Sequence, residues 1–170
     1  MMILVSGGSA SGKSAFAEQK ILEESGSPRY YLATMEVYDA ESRRRVEKHR
    51  QMRAEKDFTT VECQTHLENV SLPEGSSVLL ECLSNLAANE MFSEDGRGEN
   101  AGDVILDGIR ALWEKAGRLV IVTNDVFSDG QIYDASTERY RALLGRLNQE
   151  TAAMADEVYD VIFGIPVRLK

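Results

Sequence analysis

Gly7-Gly8-Ser9-Ala10-Ser11-Gly12-Lys13-Ser14 reads G-x-x-x-x-G-K-S, a spacing suited to holding a triphosphate. The glycines let successive backbone N–H groups turn toward one anion, and the N-terminus of a following helix adds partial positive charge. Lys13 then reaches the outer phosphates and Ser14 can ligate Mg²⁺. Such a loop calls for a carboxylate at the end of a neighbouring strand, to hold Mg²⁺ directly or through water. Glu81, after Val78-Leu79-Leu80, supplies one; Asp125, after the run Leu119 to Val122, is a second. Taken alone, Glu81 is equally a strand-end glutamate in a solvated turn.

The second chemical feature is a histidine among cations. Residues 43–56 hold Arg43, Arg44, Arg45, Lys48, Arg50, Arg53 and Lys56 against Glu47 and Glu55, a local +5 in a chain of net charge −9. A charge reversal of this kind asks for an anionic partner, and a bound triphosphate would draw the basic stretch toward the glycine loop. On a helix, Arg45, His49 and Arg53 fall four residues apart and share a face. Flanking guanidiniums disfavour the imidazolium form and leave a neutral nitrogen lone pair, chemistry suited to attack on phosphorus. A solvated basic helix with an incidental histidine fits the same spacing, and the residues alone leave both readings open. His66 has no comparable setting and is expected to be structural. Cys63 and Cys82 show no metal-ligand spacing and are expected to be small buried hydrophobes.

These groups need elements to position them. Met2 to Ser6 reads as a strand, the glycine loop follows, and Lys13 to Glu24 has helical spacing. Further strands are predicted at Arg29 to Ala33, Phe58 to Cys63, Ser77 to Leu80 and Leu119 to Val122, with one or two more from Val158 to Leu169. Helices are predicted over Ala40 to Lys56, Leu83 to Phe92, Val104 to Ala116 and, with Ser136 as N-cap, Arg139 to Ala155. Ser93 to Gly102, polar and glycine-rich, reads as a mobile surface loop. Strands alternating with helices imply one α/β domain over residues 1–170 with a mainly parallel central sheet.

Composition narrows the class. With 170 residues, 43% hydrophobic, 28% charged and three prolines, the chain matches folded globular domains rather than disordered or disulfide-rich ones. The acidic balance argues against a nucleic-acid surface. No apolar run approaches the roughly 20 residues that span a bilayer, and Met1 to Ser6 lacks the marks of a signal peptide, so a cytoplasmic protein is expected.

Several stretches taken together resemble the bifunctional adenosylcobinamide kinase and adenosylcobinamide-phosphate guanylyltransferase family along nearly the whole chain. They are MMILVSGGSASGKS, Y-L-A-T at Tyr31 to Thr34, R-V-E-K-H-R around His49, V-E-C at Val61 to Cys63 and L-L-E-C-L from Leu79. V-T-N-D-V from Val122, G-R-L-N-Q from Gly145 and the ending from Ala155 complete the set. The resemblance implies a P-loop (RecA-like) fold assembled as a homotrimer, using GTP, ATP and Mg²⁺ on a corrinoid, adenosylcobinamide. It implies catalytic roles for His49 and Lys13, with His49 taking GMP from GTP as a phosphoramidate before passing it to adenosylcobinamide phosphate. Nucleotide contacts are implied for Gly7, Gly8, Ser9, Ala10, Ser11, Gly12, Lys13, Ser14, Ala33, Thr34, Met35, Arg50, Gln51, Met52, Arg53, Glu62 and Glu81, and metal contacts for Ser14 and Glu81.

The chain departs from the family pattern in two places. Arginine is usual where Ala10 stands, and residues 127–133 replace a glycine- and proline-containing segment. Both departures touch the kinase half. A guanylyltransferase without kinase activity, or a nucleotide-sensing module without turnover, are the other readings.

Overall fold

The computed structural model describes residues 1–36, 43–44, 47, 51, 56–126, 130–131 and 133–170. Seven strands among them form one sheet: β1 (Met2–Ser6), β2 (Arg29–Ala33), β3 (Phe58–Glu62), β4 (Ser77–Glu81), β5 (Arg118–Val122), β6 (Glu157–Ile162) and β7 (Ile165–Arg168). Their order is β3-β2-β4-β5-β1-β6-β7, and every neighbouring pair is parallel except β6 and β7. Parallel neighbours need crossovers, and among the described residues helices α1 (Lys13–Leu22), α2 (Leu83–Phe92), α3 (Ala101–Lys115) and α4 (Ala135–Met154) lie between strands β1 and β2, β4 and β5, and β5 and β6. No described helix is long and apolar enough to cross a membrane.

The two-residue period of β1 builds both halves of the core. Met2 and Leu4 face one side, with α2, α3 and α4, while Ile3 and Val5 face the other, against Ala17 and Ile21 of α1. All four are buried, as expected of a central strand covered on both faces. This fixes β1, and therefore the loop at its carboxyl end, in the middle of the molecule.

Three boundaries differ from the sequence expectations. Helix α4 begins at Ala135, capped by Asp134 rather than Ser136, because the aspartate carboxylate accepts from both the Ser136 and Thr137 N–H groups. Helix α3 begins at Ala101, so Gly102 lies inside it; a Cβ there would stand 3.0 Å from Leu143 Cδ1, and glycine permits the close approach of α3 and α4. The stretch from Ser93 onward is tethered: the Arg97 N–H donates to Glu90 Oε2 at 3.0 Å, and Gly96 lies against the Glu90 and Asn89 carbonyls. Of the basic segment, Arg43, Arg44, Glu47 and Gln51 are helical, while His49 lies outside the described residues.

Candidate active site

The loop between β1 and α1 is shaped by glycine where nothing else fits. Gly7 has φ 154°, and a Cβ there would come within 2.5 Å of Ser11 Oγ and 2.7 Å of the Val161 carbonyl oxygen. Gly12 caps α1 at φ 94°, with no side chain closing the first turn, so the leading N–H groups of α1 have no side-chain cap. These donors face the carboxyl edge of the sheet, where anions collect in open α/β folds. Lys13 Nζ folds back to donate to the Gly8 carbonyl at 2.9 Å. Burial lowers the pKa of this amine, against the opposing pull of Cys82 and Glu81.

Glu81 ends β4, one strand removed from β1, with β5 between them. Ser14 Oγ donates to Glu81 Oε1, and Glu81 Oε2 is buried with no hydrogen-bond partner. An orphaned carboxylate oxygen beside a hydroxyl is a hard-oxygen donor set, and it fits Mg²⁺. Ser11 Oγ, also buried and without a partner, lies within the same loop.

The surroundings hold the Glu81 turn in place. Thr34 Oγ1 accepts from the Cys82 N–H at 2.6 Å and donates to the Cys82 carbonyl at 2.9 Å, across the cis Glu81–Cys82 peptide bond. With its hydroxyl so committed and the residue fully buried, Thr34 acts here by fixing the strand end. Asn89 Nδ2 donates to the Thr34 and Gln64 carbonyls at 2.8 and 2.9 Å, joining β2 and the turn after β3 to α2. The Asn124 amide donates to Ser84 Oγ, and the Tyr140 hydroxyl to the Ser84 carbonyl at 3.1 Å. Burial pushes the Tyr140 phenol up to about 12.

The structure thus brings together Gly7 through Ser14 and Glu81, and the Asp125 N–H reaches the Gly7 carbonyl at 3.3 Å. Ala33 closes β2, Met35 follows Thr34 half-buried, and Glu62 ends β3 with Gln64 Nε2 donating to it at 3.0 Å, at the far edge of the sheet. Gln51 is exposed and donates to Glu47 at 3.0 Å. His49, Arg50, Met52 and Arg53 lie outside the described residues. Lys56 is not available to an anion: it pairs with the buried carboxylate of Glu18 in α1, so that end of the basic segment is neutralised within the chain. Ser84 and Asn124, which spacing did not single out, meet at this edge because the start of α2 and the end of β5, distant in sequence, lie side by side.

A phosphate loop opening a helix, with its acid on a strand one removed, defines a P-loop nucleotide-binding protein. Solved structures share this fold, among them a type III secretion system ATPase from pathogenic bacteria (TM-score 0.56, 12% identity, covering 99% of this chain and 56% of that one) and a separate ATPase domain (TM-score 0.50, 12% identity, 94% and 68%). Within that class the chain belongs to the CobU family, cobinamide kinase / cobinamide phosphate guanyltransferase, which it matches over residues 3–169. It is 35% identical to the bifunctional adenosylcobalamin biosynthesis protein CobU of Escherichia coli (strain K12) and 33% identical to that of Salmonella typhimurium (strain LT2), each over the full length of both chains. The corresponding protein CobP of Pseudomonas aeruginosa is 30% identical over 100% of this chain and 98% of its own. The chain is therefore a kinase and guanylyltransferase of cobalamin biosynthesis, as its motifs led us to expect.

Proposed function

We propose that the edge formed by the ends of β1 and β4 carries the nucleotide chemistry of both transfers. The observation that carries this reading is the Ser14–Glu81 contact beneath the glycine loop, with one Glu81 oxygen left over. Backbone N–H groups of Gly7 to Lys13 and the Lys13 amine hold the triphosphate of ATP or GTP. Ser14 and Glu81 would hold Mg²⁺, which supplies charge neutralisation of the outer phosphates. In the kinase step the hydroxyl oxygen of the adenosylcobinamide side arm attacks the γ-phosphorus and its proton passes to solvent. The bond to the bridging oxygen breaks, and Lys13 and the loop meet the charge on the departing diphosphate.

In the second transfer a neutral ring nitrogen of His49 attacks the α-phosphorus of GTP; an N–P bond forms and the P–O bond to pyrophosphate breaks. A phosphate oxygen of adenosylcobinamide phosphate then attacks the same phosphorus, the N–P bond breaks, and the imidazole is restored. Arg50 and Arg53, beside His49 in sequence, supply cationic contacts to the nucleotide, with Gln51, Met52, Ala33, Met35 and Glu62 as its further neighbours. The enzyme works as a cytoplasmic homotrimer.

Incubation with α-labelled GTP and Mg²⁺ tests the reading: the wild-type protein acquires an acid-labile, base-stable label and His49→Ala does not. Label retained in His49→Ala would place the nucleophile elsewhere, and nucleotide binding without label in the wild type would make the chain a sensing module.

A further inference from the structure

Helix α1, which opens from the phosphate loop, makes a second polar contact that neither transfer has used. Ser14 and Glu18 stand four residues apart on it and share a face. Ser14 meets Glu81 at the end of β4, and Glu18 meets Lys56, which leads into β3. The flank of α1 that reaches the metal-binding acid therefore also holds the end of the basic segment. The nucleotide contacts read at Ala33, Met35 and Glu62 follow the same direction, since β2 and β3 lie beyond β4 in the sheet.

The Glu18 contact is set into the interior. Glu18 is 1% exposed; one of its carboxylate oxygens accepts from the Lys56 amine, and the other is buried with no hydrogen-bond partner among the described residues. The Lys56 carbonyl in turn accepts from the Arg29 guanidinium at 3.4 Å, at the start of β2. A buried ion pair adds little stability over apolar side chains of similar size, but it holds one arrangement, because either charge without the other is costly. What is held here is a point on the chain seven residues after His49.

That point fixes a height. β2 and β3 are parallel, so the chain joining them returns from the carboxyl edge of the sheet to the amino edge, and Lys56 lies at the amino end of that return. On the helix that the sequence predicts there, the seven residues back from Lys56 to His49 rise about 10 Å, while the five from Glu18 back to Lys13 rise about 8 Å. A segment tied to Glu18 through Lys56 thus climbs to the level of the phosphate loop at His49.

We propose that Glu18 and Lys56 are positioning residues of the guanylyl transfer: their ion pair ties the segment carrying His49 to the phosphate-loop helix and keeps the imidazole within reach of the α-phosphorus. The inference rests on the reading of His49 as the nucleophile. The kinase step takes its nucleophile from the substrate, so the pair serves one transfer and not the other.

The test follows both transfers on the full chain with Mg²⁺ and saturating nucleotide: covalent label from α-labelled GTP, and label passed from γ-labelled nucleotide to cobinamide. The double variant Glu18→Met/Lys56→Met removes the tie and leaves no unpaired buried charge, so its melting temperature should hold. Label formation should slow about tenfold while γ-transfer stays within about twofold of wild type. Lys56→Arg, which keeps the charge, should label at close to the wild-type rate, and Lys56→Gln, a milder break at the partly exposed partner, should fall below it. These two variants decide the matter if the double variant does not fold. Label formation at the wild-type rate without the pair overturns the proposal. So does an equal loss in both transfers, since the pair would then only support α1 and its loop. No label in the wild type, or label retained in His49→Ala, defeats the nucleophile reading instead, a result obtained with the pair intact.

Discussion

Two polar clusters in this molecule invite the same first reading and differ in one respect. His66, Glu68 and Glu90 offer ligand atoms that all lie within 4.8 Å of one another, a fuller metal-like set than Ser14 and Glu81 provide. Yet both oxygens of the buried Glu90 accept backbone N–H groups, from His66 and Arg97, and Glu68 Oε1 is held by the Arg97 guanidinium at 3.0 Å. Glu68 Oε2 is itself buried without a hydrogen-bond partner, but the Arg97 guanidinium answers the charge of that carboxylate, and the cluster pins the turn after α2 to the one before Leu67. At Glu81, one oxygen takes the Ser14 hydroxyl and the other is buried with no partner, on the edge where the helix donors also point outward. A count of ligating side chains favours the first cluster, and each cluster has one orphaned carboxylate oxygen; the Arg97 guanidinium on Glu68 and the place of Glu81 beside the phosphate loop favour the second.

The sharpest way to break the comparison is to neutralise each acid. Glu81→Gln keeps an acceptor for Ser14 but removes the charge, so Mg²⁺-dependent turnover should fall by roughly 100-fold or more while the melting temperature holds or rises. A variant with wild-type turnover would show that Glu81 is only a strand end. Glu90→Ala should do the reverse. Two partly buried N–H groups lose their acceptor, a cost of about 3 kcal/mol, or roughly 6–12 °C in melting temperature, with turnover of the folded fraction intact. Loss of turnover at unchanged stability would reassign that cluster to function.

A smaller effect concerns protonation. Burial holds the Lys13 amine below its usual 10.5, so the charge that attracts phosphate is present below the lowered pKa and is lost as pH rises through it. Nucleotide affinity, measured by calorimetry on the alkaline side, should therefore begin to decline below the usual lysine value of 10.5. It should fall by about tenfold or more in total, and a flat profile would remove Lys13 from the phosphates.

The smallest effect is at α4. Four hydrogen bonds from Ser136 and Thr137 hold the exposed Asp134 carboxyl well below the usual carboxylate range. A depressed carboxylate pKa contributes stability that is present above the unfolded value and disappears as pH falls through the folded one. Asp134→Ala should lower the melting temperature by about 2–4 °C near neutrality, and the difference from wild type should vanish in strong acid.

These contrasts also mark what the sequence could tell. The strand, glycine loop and helix at Met2 to Leu22 were legible because each rests on a local pattern, and the strand runs carried the α/β class with them. Glu81 was legible as a strand-end acid. Its orphaned oxygen was not, since that depends on β5 lying between β1 and β4, a pairing that hydrophobic runs do not encode. Asp134 and Ser136 are both good caps by type, and only backbone geometry chooses between them. The engagement of Lys56 by Glu18 was likewise invisible to a charge count, because α1 and the end of the basic segment meet only in the folded chain.

The claim that the glycine loop is where phosphoryl transfer takes place is tested most directly by following label from γ-labelled nucleotide to cobinamide with Mg²⁺. The wild-type chain, Ala10 and all, should transfer label, and Lys13→Ala, with an unchanged melting curve, should lose the transfer by roughly 100-fold or more. Full transfer by Lys13→Ala would contradict the assignment.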